Sequence, residues 1–177
     1  MQLKKYLFKS VTSTNDVAIK KIKKGKLFGT IIAKKQTKGR GRYGNRWIYM
    51  KNNLFMSIFF NYNLNISLKE LTSISCKIVK KSLTKIVNKK ITIKKPNDLL
   101  INEKKVCGIL QEIIYHNNKK FAIIGIGINV DKSPIIDNYP TTYINFNAKK
   151  KLTSFKIYNE IKKNFENYLK KKYENHR

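Results

Sequence analysis

The chain has 177 residues and a hydrophobic fraction of 41%, and its 39 Lys and Arg against 10 Asp and Glu give a formal net charge of +29. This length suits a single domain that buries roughly 70% of its unfolded surface, and the apolar content excludes wholesale disorder. No segment approaches the ~18 apolar residues of a membrane span or has the pattern of a secretory signal, so we expect a cytoplasmic protein with no membrane partner.

The first half of the chain is predicted to combine strands with one helix and one loop. The elements are, in order, a strand over residues 3–8, a helix from Ser13 to Gly25, a strand over residues 29–33, a loop over residues 39–47 and a strand over residues 53–60. Ser13 and Asp16 have the spacing of a capping box, and Gly25 is typical of a helix end. The strands are assigned on their β-branched and aromatic residues.

The second half is predicted to contain two helices and four strands. They are a helix from Ser67 to Ile86, strands over residues 91–93, 99–101, 106–115 and 121–130, and a helix over residues 153–172. Ser67 and Glu70 have capping-box spacing, and turns are expected at Asn102-Glu103 and His116-Asn117-Asn118. Because short connections join successive strands, the predicted fold class is α+β, with a single mostly antiparallel mixed sheet and helices packed on it.

Three of the chain's four arginines, Arg40, Arg42 and Arg46, lie in the glycine-rich loop that ends at Trp47, the only tryptophan. A planar guanidinium offers a fork of donors that suits carboxylate or phosphate, so the loop is predicted to bind an anion. Residues 39–44 match the dinucleotide fingerprint Gly-x-Gly-x-x-Gly, but a strand rather than a helix is expected next, which argues against that site. A Walker A loop is excluded because no Gly-Lys-Ser/Thr follows.

Two further segments are weak signals when each is taken alone, and a third is less easily dismissed. Ser13-Thr14-Asn15 is typical of a helix cap, and Asn97-Asp98 after a proline is typical of a turn. Gly125 and Gly127 lie inside an otherwise β-branched strand, where glycine often marks the close approach of a ligand.

In combination and in this order, these segments resemble the catalytic domain of biotin–protein ligases from about residue 10 to residue 130. The matching positions are Ser13-Thr14-Asn15, Gln36, Gly39-Arg40-Gly41-Arg42, Gly44, Trp47, Lys94, Pro96-Asn97-Asp98, Lys105, Gly108-Ile109-Leu110, Glu112, Gly125 and Gly127-Ile128-Asn129. The resemblance implies the class II synthetase-like fold of biotin and lipoate ligases. It also implies that residues 1–177 form the catalytic domain alone, with no N-terminal DNA-binding domain and no C-terminal β-barrel domain.

The resemblance implies a reaction with ATP, carried with Mg²⁺, and with biotin as the substrate. Biotin would be activated as biotinyl-5′-AMP and transferred to a specific lysine of a biotin carboxyl carrier protein, a subunit of acetyl-CoA carboxylase. The implied catalytic residues are Arg42 and Lys105. The implied biotin-binding residues are Ser13, Thr14, Asn15, Gln36, Gly39, Arg40, Gly41, Arg42, Trp47, Lys105, Gly108, Leu110 and Gly125. The implied ATP-binding residues are Arg40, Arg42, Arg46, Asn97, Asp98, Lys105 and Asn129.

Two positions depart from the family pattern. Asn45 stands where the family often has arginine, which leaves Arg46 as the expected substitute, and Lys95 stands where an aromatic residue commonly precedes the proline. Cys76 and Cys107 lack the spacing of a metal site, so free thiols and no dedicated metal site are expected.

Two other functions are compatible with parts of the sequence. A lipoate–protein ligase would share the fold and the adenylate chemistry. A nucleic-acid-binding module would use the basic and aromatic residues of the loop. The high positive charge alone is weak support for it, because AT-rich codons would make Lys, Asn, Ile, Tyr and Phe abundant in any protein, as they are here. No DNA partner is expected, and a monomer and a homodimer both remain open.

Overall fold

The computed structural model describes residues 2–87, 89–137 and 139–174, which form seven strands, four α-helices and one 3-10 turn, Arg42–Gly44. The strands are β1 Lys5–Val11, β2 Phe28–Gln36, β3 Leu54–Asn61, β4 Ile91–Lys94, β5 Asp98–Ile101, β6 Lys104–His116 and β7 Lys119–Ile128. The helices are α1 Thr14–Lys23, α2 Leu68–Thr84, α3 Ile144–Asn147 and α4 Ser154–Glu174. Each element predicted from the sequence is present within a few residues, and the short α3 is additional.

The strands form one mixed sheet in the order β1-β2-β3-β7-β6-β5-β4. β1 and β2 are parallel because α1 crosses between them, whereas the other neighbouring strands are antiparallel. The predicted α+β class and the mostly antiparallel sheet are therefore confirmed. Within the described residues, no helix combines the length and the apolar character that crossing a membrane requires.

The two faces of the sheet are covered by different helices. α2 and α4 pack on one face, where Met56 and Ile58 of β3 belong to the larger core cluster. α1 packs on the other face, where Ala18 and Ile22 meet Phe59 in a smaller cluster. Successive side chains of β3 thus point to opposite faces. Further along the α1 face, the loop over residues 39–47 takes the place of a helix and covers Gly108 of β6 and Gly127 of β7.

The two predicted capping boxes have different outcomes. Ser67 and Glu70 form a complete box at the start of α2, with each side chain accepting a hydrogen bond from the backbone N–H of the other. The box predicted at Ser13 is wrong, since the Ser13 hydroxyl accepts from the Asn15 N–H while the Asp16 carboxylate binds Thr12 and Arg40 instead. The Asp16 carboxylate binds Arg40, which lies 24 positions later in the chain, and the local spacing of residues does not reveal this contact.

Candidate active site

A cavity of about 220 Å³ opens on the α1 face between the start of α1, the loop over residues 39–47 and the first half of β6. Most of the residues predicted from the sequence line it: Ser13, Thr14, Asn15, Gln36, Arg40, Gly41, Arg42, Arg46, Trp47, Asn97, Asp98, Lys105, Gly108, Leu110 and Gly125. Gly39 and Asn129 are outside the lining. The fold therefore assembles in one place segments that are more than 100 residues apart in the chain.

One end of the cavity is a buried cluster of neutral polar side chains. Gln36 Oε1 accepts from the backbone N–H of Thr14 at 2.9 Å and from its hydroxyl at 3.2 Å. The Ser57 hydroxyl lies 2.8 Å from Thr14 Oγ1 and 2.5 Å from Asn15 Oδ1, so it can donate to either. Buried polar groups are costly unless they are paired, and here they pair with one another around the cavity.

Ser57 belongs to this cluster and was missed from the sequence. It is fully buried at the centre of β3, in the otherwise apolar run Leu-Phe-Met-Ser-Ile-Phe-Phe. A lone hydroxyl in a fully buried strand needs a partner on the neighbouring layer, and that partner is supplied by the start of α1. The single polar residue inside this apolar run is the sequence feature that could have indicated a functional role for Ser57.

The middle of the cavity has an apolar wall formed by Trp47. The indole lies on Gly108 and Gly127, which are paired across β6 and β7. A Cβ added at Gly108 would lie 2.7 Å from Trp47 Cζ3, and one added at Gly127 would lie 2.3 Å from Trp47 Cε2. Gly125 is approached in the same way by Asn15, at 2.6 Å from its Oδ1. The close approach predicted for the strand glycines is present, but the atoms that approach belong to the protein.

Gly39 organises the cavity from outside its lining. It is buried, and a Cβ there would lie 2.5 Å from Gln36 Nε2 and 2.6 Å from the Trp47 carbonyl oxygen. Its own carbonyl accepts from the Trp47 N–H at 3.0 Å. Glycine at this position lets the loop hold the polar end and the indole wall together.

The other end of the cavity is cationic, with Lys105 on its rim. Lys105 Nζ lies 3.0 Å from Asp98 Oδ2 and 5.5 Å from the centroid of the Trp47 ring. The pairing of β5 with β6 skips Val106, and this irregularity places Lys105 on the same face as Gly108, whose added Cβ would lie 3.3 Å from Lys105 Cε. A β-bulge of this kind redirects a side chain that regular alternation would send to the opposite face.

Arg42 contributes the second cation and has no carboxylate partner within the described residues. Its guanidinium carbon lies 4.8 Å from the centroid of the Tyr43 ring, and Nη2 donates to the Tyr43 hydroxyl at 3.0 Å. Tyr43 is 88% exposed and has a φ of 55°, so this contact lies at the surface of the loop. Arg42 is therefore available to an anionic ligand.

Arg40 is held in place by two carboxylates. Its Nη1 lies 2.6 Å from Asp16 Oδ1, and its Nη2 lies 3.2 Å from Glu112 Oε1. Partial burial by itself would lower the pKa of Arg40, but the hydrogen bonds and charges of these carboxylates outweigh burial and raise it. Glu112 also accepts from Asn15 Nδ2 at 2.5 Å, so Arg40 ties the loop to the polar end of the cavity.

The residues predicted to meet ATP are divided between two environments. Asn97 and Asp98 line the cavity, and Asn97 Nδ2 donates to the Ile109 carbonyl at 2.8 Å. Asn129 is buried elsewhere, with its Nδ2 donating to the Thr142 carbonyl at 3.1 Å and its Oδ1 accepting from Asn53 at 3.3 Å. The amide of Asn129 thus joins β7 to the segment before α3.

Residues 7–129 match the model of the biotin/lipoate A/B protein ligase family, and the chain belongs to that family. It is 36% identical to the bifunctional ligase/repressor BirA of Bacillus subtilis over 107 aligned residues. The alignment covers 59% of this chain and 33% of BirA. It is 28% identical over 141 residues to biotin–protein ligase 2 of Arabidopsis thaliana, which covers 76% of this chain and 41% of that protein. The matches thus span about a third to two fifths of the length of these relatives.

Solved structures with the same fold include two biotin protein ligases. The enzyme from Aquifex aeolicus in complex with biotin and ATP superposes with a TM-score of 0.80 at 28% identity, over 95% of this chain and 71% of that one. The enzyme from Leishmania major in complex with biotinyl-5-AMP gives a TM-score of 0.79 at 26% identity, over 91% of this chain and 72% of that one. The class II synthetase-like fold expected from the sequence is thereby confirmed.

Proposed function

We propose that this chain is the catalytic domain of a biotin–protein ligase, which activates biotin with ATP and transfers it to a lysine of a carrier protein. The observation that carries the proposal is the order of environments along one cavity: neutral polar cluster, indole wall and cationic rim. Biotin has the same order of groups, with an uncharged ureido ring, an apolar chain and a carboxylate. The ligands of the A. aeolicus and L. major structures support the same choice.

The polar end favours biotin over lipoate within the family. A ureido ring has two N–H donors and a carbonyl acceptor, which can exchange hydrogen bonds with Thr14 and Gln36, which line the cavity. The dithiolane ring of lipoate has no such groups, so the polar atoms of the cluster that face the cavity would lose their contact with water and gain no hydrogen bond in return. Discrimination against an analogue that lacks hydrogen-bonding groups is strong for this reason.

The first chemical step joins two anions. A carboxylate oxygen of biotin attacks the α-phosphorus of ATP, the bond from that phosphorus to the bridging oxygen breaks, and pyrophosphate leaves. Magnesium enters with the triphosphate as part of the substrate. Arg42 and Lys105 offset the repulsion between the anions and the charge that develops at phosphorus.

The second step transfers the biotinyl group to the carrier. The amine of an acceptor lysine attacks the carbonyl carbon of the adenylate, the bond to the phosphate oxygen breaks, and AMP leaves while the nitrogen loses a proton. The acceptor is a lysine of a biotin carboxyl carrier protein. The net charge of +29 would accelerate encounter with an acidic carrier at low ionic strength.

A pyrophosphate-release assay tests the first step. We expect release that requires both biotin and ATP, and radiolabelled biotin bound to a carrier domain when that domain is added. Lipoate replaces biotin in the matched control and should give no signal. Release with lipoate but not with biotin would make the chain a lipoate ligase.

A thermal-unfolding experiment separates the ligase from a nucleic-acid-binding module. Biotin with ATP should raise the melting temperature, since a ligand that binds only the folded state stabilises it by mass action. If only an oligonucleotide raised the melting temperature, with an effect that disappeared as salt increased, the ligase proposal would fail.

A further inference from the structure

The segment of residues 139–142, between β7 and α3, lies beside the start of β6 and fixes the backbone of Lys105 on both sides. The Lys105 N–H donates to the Pro140 carbonyl at 2.8 Å, and the Thr142 N–H donates to the Lys105 carbonyl at 2.8 Å. The Thr142 carbonyl accepts from Asn129 Nδ2, which joins the segment to β7. Lys105 is therefore held by a part of the chain beyond residue 129, where the family match ends.

Tyr139 links this segment to the charged rim of the cavity. Its hydroxyl donates to Asp98 Oδ2 at 2.6 Å, and the same oxygen lies 3.0 Å from Lys105 Nζ. The ring is flanked by two ammonium groups, with Lys94 Nζ at 4.5 Å and Lys105 Nζ at 5.2 Å from its centroid. Asp98 Oδ1 is buried without a protein partner in the part of the chain that the structure describes. The hydroxyl of Tyr139 is therefore the neutral donor that shares this carboxylate with Lys105.

We infer that Tyr139 is a positioning residue for the ligation reaction: through Asp98 it holds the Lys105 ammonium at the rim of the cavity, where the carboxylate and the α-phosphate must meet. The inference rests on the proposed function. A carboxylate with two donors is fixed in orientation, whereas one that binds only an ammonium can rotate and follow it. Loss of the hydroxyl would let the Asp98–Lys105 pair move as a unit, and a small misplacement of a catalytic cation costs rate.

Tyr139→Phe tests this role because it removes the hydroxyl and keeps the ring that Lys94 and Lys105 flank. A hydrogen bond to a charged group is worth enough to predict a roughly ten- to hundredfold fall in the kcat of pyrophosphate release. The KM for biotin should change by less than about twofold, since the polar cluster at the other end of the cavity is untouched. Tyr115→Phe is the matched control, since Tyr115 is 75% exposed near the far end of β6, and it should leave both constants unchanged.

A double-mutant cycle shows whether the hydroxyl acts through Asp98. If it does, Tyr139→Phe should lower kcat by less than about twofold in the Asp98→Asn background. An equal fall in both backgrounds, or an unchanged kcat in the single variant, would overturn the inference while leaving an active wild type as a ligase. A wild-type chain that released no pyrophosphate would overturn the proposed function and this inference with it.

A ligand-free measurement tests the contact independently of activity. Burial and the neighbouring Asp98 carboxylate raise the pKa of Tyr139 above its ordinary value, and the charged groups that face it are Asp98, Lys94 and Lys105. With ¹³Cζ-labelled tyrosine, the Tyr139 signal is identified by its absence in Tyr139→Phe. At neutral pH, where the hydroxyl is protonated, its ¹³Cζ chemical shift should differ between Asp98→Asn and the wild type, because the hydrogen bond to a carboxylate is lost. Identical shifts in the two proteins would show that the contact is absent in solution.

Discussion

Gly127→Ala is expected to displace Trp47 and to weaken biotin binding. The added Cβ would lie 2.3 Å from Trp47 Cε2 and 2.6 Å from Nε1, whereas real Cβ atoms stay beyond 3.0 Å. The sheet lies behind the indole, so the ring must move outward, into a cavity of only about 220 Å³. The apolar wall would then occupy space that the proposed ligand requires.

The size of this effect follows from overpacking. Inserting a methyl group into a well-packed site costs about 1–3 kcal/mol. If the fold keeps the indole near its place, most of that cost appears when biotin presses the ring back against the sheet. A tenfold loss of affinity corresponds to about 1.4 kcal/mol, so we expect biotin affinity to fall by between about fivefold and about a hundredfold. Isothermal titration calorimetry with biotin measures it, and thermal unfolding without ligand reports the cost to the fold.

Gly29→Ala is the matched control for this substitution. A Cβ at Gly29 would lie 2.6 Å from Cζ of Phe59, so the clash is again with an aromatic side chain, but Phe59 belongs to the cluster under α1 rather than to the cavity. This variant should lose stability and keep wild-type biotin affinity. If Gly127→Ala bound biotin as tightly as the wild type, Trp47 would not be part of the biotin site.

Three further predictions concern a cation, a buried hydroxyl and a thiol. Arg42→Ala should lower pyrophosphate release by about a hundredfold or more without lowering the melting temperature, because its guanidinium contacts the exposed ring of Tyr43 and not the core. Ser57→Ala should lower the free energy of unfolding in urea by about 1–3 kcal/mol and weaken biotin binding, because it removes the donor shared by two buried acceptors. Burial raises the pKa of the Cys76 thiol from 9.0 to about 11, so the fold favours its protonated form. The free energy of unfolding should therefore fall as the pH rises from about 9 to 11, and less steeply in Cys76→Ala.

Each of these predictions has a control or a contrary result. Lys119→Ala removes an exposed cation at the start of β7 and should leave pyrophosphate release unchanged. Ser82→Ala removes a buried hydroxyl that donates to the Ile78 carbonyl within α2, so it should destabilise the fold without affecting biotin affinity. Equal pH slopes for wild type and Cys76→Ala above pH 9 would contradict the thiol prediction.

The elements were predictable because their signals are local. The capping box of Ser67 and Glu70 starts α2 through contacts three residues apart. The predicted turn at Asn102-Glu103 has positive φ values of 47° and 63°, and Asn117-Asn118 has values of 47° and 57°. Asparagine tolerates this left-handed conformation, which two-residue hairpin turns require. The lengths of the connections then dictate antiparallel pairing.

The roles of individual glycines could not be assigned from the sequence in the same way. Gly108 and Gly127 are required by an indole that lies about 60 to 80 positions earlier in the chain, and Gly125 by the side chain of Asn15. Glycine in a strand indicates a close approach, but the pattern does not say which atoms approach. Only the packing of the loop on β6 and β7 decides that.

The sequence by itself determined the α+β architecture, since propensity and helix caps act over a few positions, and its resemblance to biotin–protein ligases indicated most residues of the cavity. The arginine-rich loop is predicted from the chemistry of its side chains to bind an anion. The tertiary structure decided how those residues divide their work: Arg40 is held by Asp16 and Glu112 while Arg42 stays available, and the irregular pairing of β5 with β6 directs Lys105 into the cavity. Only the tertiary structure showed that Ser57 contacts the polar end of the cavity and that Tyr139 contacts Asp98 at its charged rim. Charges and hydrogen bonds depend on distance in space, and the fold alone sets which distant segments meet.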